Sequence, residues 1–169
     1  MLPLKERIPY FVEADARSGE VRSSTSVAQI FKPDEKNLRF FLGRWTTNLL
    51  TIDTRSKEYL LPESYMYLRG AALAEWSEWV TKRDQPLKKL VENANYRREA
   101  RVSSISLVAD GVALVRVTLV GRTGASAAQE IRKLVTIHYS FVPAESEDDV
   151  LKNPLGLYIT HFTISDELA

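Results

Sequence analysis

Cysteine is absent from this chain of 169 residues, and histidine occurs only twice. The first absence excludes disulfides, thiol nucleophiles and zinc sites with cysteine ligands. Two histidines without acidic residues at ligand spacing offer too few donors for a metal site. We therefore expect neither a metal nor a cofactor.

Long apolar runs are absent too. No stretch approaches the ~20 apolar residues that a membrane-spanning helix needs, and no secretory signal opens the chain. The opening residues, PLKERIPYFVEAD, read instead as the middle of a domain. Two alternatives remain open on this basis: a complete cytosolic protein, or a piece of a longer protein.

The chain also lacks an excess of charge, because 23 Lys and Arg residues face 22 Asp and Glu residues. Such a balance does not favour binding to nucleic acid, which would appear as steeply salt-dependent affinity. The short basic run at Arg97, Arg98 and Arg101 is typical of a charged edge strand. We expect no direct contact with nucleic acid.

Helical periodicity appears in the first half of the chain, after a short extended pair that turns at Ser18-Gly19. One helix begins at Pro33, with Asp34 and Glu35 at the positive end of its dipole. Its apolar stripe is typical of a core-facing helix. The stripe consists of Leu38, Phe41, Leu42, Trp45 and Leu49.

A second helix is predicted over residues 63–82, and its apolar surface is wider than one sheet face needs. Met66, Leu73, Trp76 and Val80 form one stripe. Tyr65, Leu68 and Trp79 stand beside it, rimmed by charged residues. Surplus apolar area of this kind indicates a self-association or partner surface. A short helical turn follows at residues 86–94.

From Tyr96 onward the period changes to two, as in strands. Asp110-Gly111 predicts a two-residue hairpin turn that sets Leu107 opposite Leu114. That register places Val108 on one face of the sheet, and Ile105 and Leu107 on the other, and both faces are partly apolar. Two further strands are predicted on either side of an acidic connection at residues 143–156. The order predicts an α+β fold, with helices on one face of a curved antiparallel sheet of about four strands.

Residues capable of catalysis are few and scattered. The chain has no GxGxxG, no phosphate-binding loop and no GxSxG. His138 and His161 lie on predicted strands, and His138 shares its face with polar neighbours. We find no catalytic residue to assign.

Helices followed by an antiparallel sheet resemble the fold of nuclear transport factor two. Within that superfamily the sequence resembles the periplasmic domain of the VirB-type assembly subunit of type IV secretion systems. FFLGRWTTNLL resembles that family's first helix, and VSSISLV with ALVRVTLVG resembles its central strands. The family's N-terminal segment and its Asn-Pro-x-Gly turn are matched at Pro3, Leu4, Pro9, Tyr10, Asp15, Gly19, Asn153, Pro154 and Gly156.

The resemblance implies a non-enzymatic scaffold on the periplasmic face of the bacterial inner membrane, acting in DNA transfer or conjugation. It implies weak self-association, as a homodimer or higher oligomer, and contacts with other channel subunits. Residues 1–169 would form a single periplasmic domain. The family's cytoplasmic tail and membrane helix would precede it, and only that helix would contact the membrane.

The turn at Asn153, Pro154 and Gly156 has two readings. Pro154 fixes φ, and Gly156 permits a positive φ, so the turn rigidly orients the last strand. The turn either serves folding alone or also shapes a partner surface.

A different function remains as an alternative, since many domains of this fold bind a small molecule or catalyse dehydration or isomerisation. That reading needs an acid/base group in a pocket. The candidates are His138 or His161 with Tyr139 or Asp53. It is disfavoured if Phe41, Trp45 and Trp76 fill the space between helices and sheet.

Overall fold

The computed structural model describes residues 11–14, 21–24 and 34–167. Near the N-terminus, β1 (Phe11–Ala14) pairs antiparallel with β2 (Val21–Ser24), as the sequence predicted. The remaining residues of the N-terminal match lie outside the described residues, as do the predicted turn at Ser18-Gly19 and Pro33.

Four antiparallel strands form the main sheet in the order β3-β4-β5-β6. They are β3 (Tyr96–Ala109), β4 (Val112–Thr123), β5 (Gln129–Phe141) and β6 (Leu157–Asp166). The helices are α1 (Glu35–Leu50), α2 (Leu61–Met66), α3 (Ala71–Glu78), α4 (Pro86–Glu92) and α5 (Glu147–Lys152), with π-helical turns at Ser56–Leu60 and Trp79–Arg83. This arrangement confirms the predicted α+β fold.

Helix α1 covers the sheet and carries most of the core contact. Asp34 is its N-cap rather than part of its first turn. The predicted stripe is confirmed, since all its members are buried except Phe41, which is half-buried. A Cβ at Gly43 would lie 3.1 Å from the Cδ1 atom of Ile105, so α1 and β3 are in close contact.

The prediction of one continuous helix over residues 63–82 is wrong. The chain leaves the helix after Met66 and re-enters it at Gly70, whose φ is 59°. Between them, the amide of Arg69 donates to the carbonyl of Ile159 at 2.9 Å, and the amide of Ile159 donates to the carbonyl of Tyr67 at 2.8 Å. The backbone therefore pairs with the edge of β6, and a continuous helix could not make these bonds.

The β3–β4 hairpin turns where predicted, with Gly111 at φ 72°, but its register differs from the prediction. Leu107 stands opposite Ala113 instead of Leu114, because Val108 is bulged out and 54% exposed. A second bulge lies between Val102 and Ser104. Each bulge reverses the alternation of faces. Ile105 and Leu107 consequently pack against the core, and Val108 does not.

Trp45 is almost completely buried between the helices and the sheet. Its indole Nε1 donates to the carbonyl of Ser64 at 2.9 Å, and the indole Nε1 of Trp76 donates to the hydroxyl of Ser64 at 2.9 Å. Trp76 and Phe41 pack against the same core, so these aromatic side chains occupy the central space.

Candidate protein-interaction site

The Asn-Pro-Leu-Gly turn is stabilised by the buried side-chain amide of Asn153, through both its nitrogen and its oxygen. The Nδ2 of Asn153 donates to the carbonyl of Leu157 at 2.8 Å, and its Oδ1 accepts from the amide of Leu157 at 3.3 Å. The amide of Gly156 donates to the carbonyl of Asn153 at 2.9 Å. The side chain of Asn153 thus pairs with the first residue of β6 as a neighbouring strand would.

Gly156 adopts the conformation that the sequence predicted, with φ at 58°. Its carbonyl accepts from the amide of Val142 at 2.7 Å, which joins the turn to the end of β5. A Cβ at this position would lie 2.2 Å from the carbonyl oxygen of Val142. Glycine is therefore required both by the backbone angle and by the close approach of the two chains.

A groove of about 460 Å³ runs between this turn and helix α1. Phe40 and Leu151, which are 70% and 83% exposed, line it from opposite sides. The other lining residues are Asn37, Phe41, Arg44, Trp45, Asn48, Glu63, Tyr67, Lys152, Asn153, Pro154 and Leu155. Salt bridges at the groove join Arg44 to Glu63 and Lys152 to Asp148, each at 2.5 Å. We call this feature the turn groove.

Of the three residues assigned to a partner surface on the second helix, only Tyr65 is exposed. Leu68 and Trp79 are buried in the core of the same chain, because the break at Gly70 rotates the two halves of the segment differently. Tyr65 packs edge-on against Trp76, with ring centroids 4.9 Å apart. The prediction of a partner surface is therefore wrong for Leu68 and Trp79, and only Tyr65 remains a candidate for it.

Among the residues of the catalytic alternative, the two histidines lie together, whereas Asp53 lies apart from them. His138 and His161 are cross-strand neighbours with ring centroids 5.1 Å apart. His161 contacts Glu75 of α3, a partner that no sequence pattern indicated. Asp53 lies elsewhere, bound by Arg55. Burial and then the charge of Asp110 raise the pKa of Tyr139. Neither histidine lines the turn groove or a second, larger concavity of the described chain.

The larger of those concavities, about 870 Å³, lies at the other end of the sheet, and we call it the basic cavity. Within it, Arg98 is buried and donates to both carboxylate oxygens of Asp84, at 2.7 and 2.5 Å, while Lys89 donates to Asp84 at 2.7 Å. Burial pushes the pKa of Asp84 up, but the hydrogen bonds and charges of Arg98 and Lys89 outweigh it and lower the pKa.

The helices packed on a four-stranded antiparallel sheet place the chain in the class of α+β domains built on the plan of nuclear transport factor two. A protein-family model described as VirB8 protein matches residues 1–167. The chain therefore belongs to the VirB8 protein family. No curated protein matches it.

Solved structures agree with this assignment. A TrwG component of the type IV secretion system from Bartonella birtlesii superposes with a TM-score of 0.69 at 20% identity, over 82% of this chain and 96% of that one. The VirB8 protein of Agrobacterium tumefaciens gives 0.68 at 13% identity, over 82% and 98%. The periplasmic domain of DotI gives 0.65 at 10% identity, over 81% and 99%. At these identities the likeness establishes the fold.

No helix within the described ranges combines the length and apolar character needed to cross a membrane.

Proposed function

We propose that the chain is a non-enzymatic assembly subunit of a type IV secretion inner-membrane complex. Membership of the VirB8 family and likeness to components of such systems support this role. We place the domain on the periplasmic side of the membrane, as in the structurally similar domain of DotI. It acts by binding copies of itself and other channel subunits.

The turn groove is the observation that carries this proposal. Two bulky apolar side chains, Phe40 of α1 and Leu151 beside the rigid turn, are exposed on opposite sides of the turn groove. Exposed apolar area bordered by charged residues is typical of a protein-binding surface. Because the Asn153 amide and Gly156 fix the backbone, the groove keeps its shape without a partner, which lowers the entropic cost of binding.

Self-association through the turn groove predicts exchange between monomer and dimer. The double variant Phe40→Ser with Leu151→Ser removes the apolar contacts from both sides of the groove. We expect it to weaken dimerisation about tenfold or more, since buried aromatic anchors dominate interface energies. Sedimentation equilibrium across a concentration series measures this.

The matched control is Val91→Ser on α4, which removes an apolar side chain that is 86% exposed and lies outside the groove. Equal dimerisation of both variants and the unaltered chain would contradict the proposal. We further propose that the exposed neighbourhood of Tyr65 contacts a different channel subunit. Sedimentation equilibrium of the Tyr65→Ala variant, mixed with that subunit, would test this contact.

A further inference from the structure

The basic cavity and helix α5 carry opposite charge at opposite ends of the sheet. The cavity is lined from the Gln129 end of β5, whereas α5 follows the Phe141 end of the same strand. A strand of 13 residues spans about 40 Å. One copy of the chain cannot bring these two features together.

Five cationic side chains line the basic cavity against two carboxylates, an excess of three positive charges. The residues are Arg83, Lys89, Arg98, Arg122 and Lys133, with Asp84 and Asp166. Arg98 and Lys89 are engaged by Asp84, and Lys133 is engaged by Asp166 at 2.6 Å. Arg83 and Arg122 form no salt bridge within the described part of the chain, although the charge of Arg122 contributes, after the hydrogen bond from Arg101, to the lowered pKa of Glu99.

The walls of the cavity also contain uncharged features that suit a protein ligand. Leu119, Ile131 and Ile164 supply apolar surface, and Ile131 is 51% exposed. Trp79, which is 92% buried, also lines the cavity, and its indole Nε1 has no hydrogen-bond partner among the described residues.

Helix α5 and the residue before its cap carry four carboxylates against one lysine, an excess of three negative charges. They are Glu145, Glu147, Asp148 and Asp149, with Lys152. Lys152 binds Asp148 on the side of the helix that borders the turn groove. Glu147 and Val150 are three residues apart and so are neighbours on the surface of α5. Both are exposed, and neither lines the groove.

We propose that the basic cavity of one copy binds the Glu145, Glu147 and Val150 face of helix α5 of a second copy. This inference rests on the proposed self-association and adds a second, head-to-tail contact to it. Arg83 and Arg122 pair with the glutamates, and Val150 meets the apolar wall. Because the two surfaces differ, the contact is heterologous and extends beyond a dimer, as rings or open arrays do.

Charge reversal separates this contact from the turn groove. Arg83→Glu with Arg122→Glu reverses the cavity, and Glu145→Lys with Glu147→Lys reverses the helix. Each variant alone should lose the higher oligomers, with affinity lowered about tenfold or more, whereas an equimolar mixture of the two should regain them. Arg132→Glu with Lys57→Glu gives the same change in charge outside the cavity and should leave the oligomers unchanged.

A peptide arm tests the cavity independently of oligomerisation. A peptide of residues 143–152 should quench the tryptophan fluorescence of the unaltered chain, and more weakly in high salt. The cavity-reversed chain, or a peptide with amides in place of the four carboxylates, should give no quenching. Melting temperatures establish that each variant folds.

Absence of quenching, or a mixture that fails to regain the oligomers, overturns the head-to-tail contact. If dimers sensitive to Phe40→Ser with Leu151→Ser persist in that case, the proposed function stands without it. If the unaltered chain is monomeric throughout, the proposed self-association fails and the head-to-tail contact fails with it, even where the free peptide binds the cavity.

Discussion

Gly156 combines a backbone angle with a steric limit, and the two can be measured separately. Gly124 has a similar φ, 54°, but a Cβ placed there meets nothing within 4 Å. Alanine at Gly124 therefore reports only the strain of a positive φ, of order 1 kcal/mol, whereas alanine at Gly156 also collides with the carbonyl of Val142.

We expect Gly156→Ala to lower the free energy of unfolding by at least about 1–3 kcal/mol more than Gly124→Ala does. Gly156→Val should be worse still, because a β-branched side chain tolerates this region least. Urea unfolding of the three variants measures the difference. Equal stability of the two alanine variants would mean that the turn is less constrained than its contacts indicate.

Asp84 links stability to pH. Its pKa in the folded chain is lowered from the ordinary value of 3.8, so the unfolded chain binds more protons between the two values. The contribution of Asp84 to the free energy of unfolding is therefore fully present above pH 3.8. It is lost as pH drops through the folded pKa. We expect Asp84→Asn to destabilise the chain by about 3–5 kcal/mol at pH 7, because it leaves the Arg98 charge buried without its counter-ion.

The same substitution should flatten the acid limb of the stability curve. Unfolding measured from about pH 6 down to about pH 2 provides the test, because the expected loss lies below the unfolded pKa. If the Asp84→Asn chain kept the full dependence of stability on acid pH, other carboxylates would be responsible for it.

Among the secondary-structure elements, β6 is an edge strand whose outer side is covered by side chain and loop. The carboxylate of Glu75 accepts from the amide of Phe162 at 2.8 Å and contacts His161. The loop at Leu68 pairs with the same strand at Ile159. Free strand edges invite pairing with other chains, so α3 and the loop before it protect this one.

Loss of the Glu75 carboxylate should expose that edge. We expect Glu75→Ala to cost about 1–3 kcal/mol, since it leaves a partly buried amide without an acceptor, and to accelerate hydrogen exchange at Phe162 specifically. Glu78→Ala, a nearby exposed residue of the same helix, is the control. Unaltered exchange at Phe162 would show that this bond does not limit opening of the edge.

Periodicity predicted α1, the hairpin at Asp110-Gly111 and the strand order because each depends on residues close in sequence. The predictions from periodicity were wrong where the backbone pairs with a distant strand or departs from regular geometry. The helix over residues 63–82 is interrupted because its middle pairs with β6, and the bulge at Val108 shifts the hairpin register. Helix α5 was missed although Ser146, followed by three acidic residues, has the composition of a capped helix start.

The candidate site was predictable to a different extent in its parts. The turn was found from Asn153, Pro154 and Gly156 because proline and glycine restrict the backbone locally. Its apolar groove was not, since Phe40 belongs to a helix more than 100 residues earlier. The Glu75–His161 contact and the Arg98–Asp84 pair likewise join separate elements, so no pattern among residues close in sequence predicts them.

At the scale of the whole molecule, the proposed role depends on local concentration. The family resemblance implies a membrane anchor ahead of this domain, and tethering raises effective concentrations to the millimolar range for short linkers. We therefore expect a weak interface at the turn groove to be sufficient at the membrane, and the free chain to dissociate in dilute solution.

Presenting the chain on a bilayer tests that dependence. Because the sequence has no cysteine, Lys57→Cys provides one labelling position on an exposed residue outside the turn groove and the basic cavity. Donor- and acceptor-labelled chains, held by an N-terminal histidine tag on vesicles with nickel-chelating lipid, should transfer energy at bulk concentrations where the free chains do not. Transfer should fall with Phe40→Ser and Leu151→Ser, and persist with Val91→Ser, at equal surface density. Equal energy transfer in the unaltered chain and both variants at every density would show that crowding alone causes it. The turn groove would then have no part in self-association.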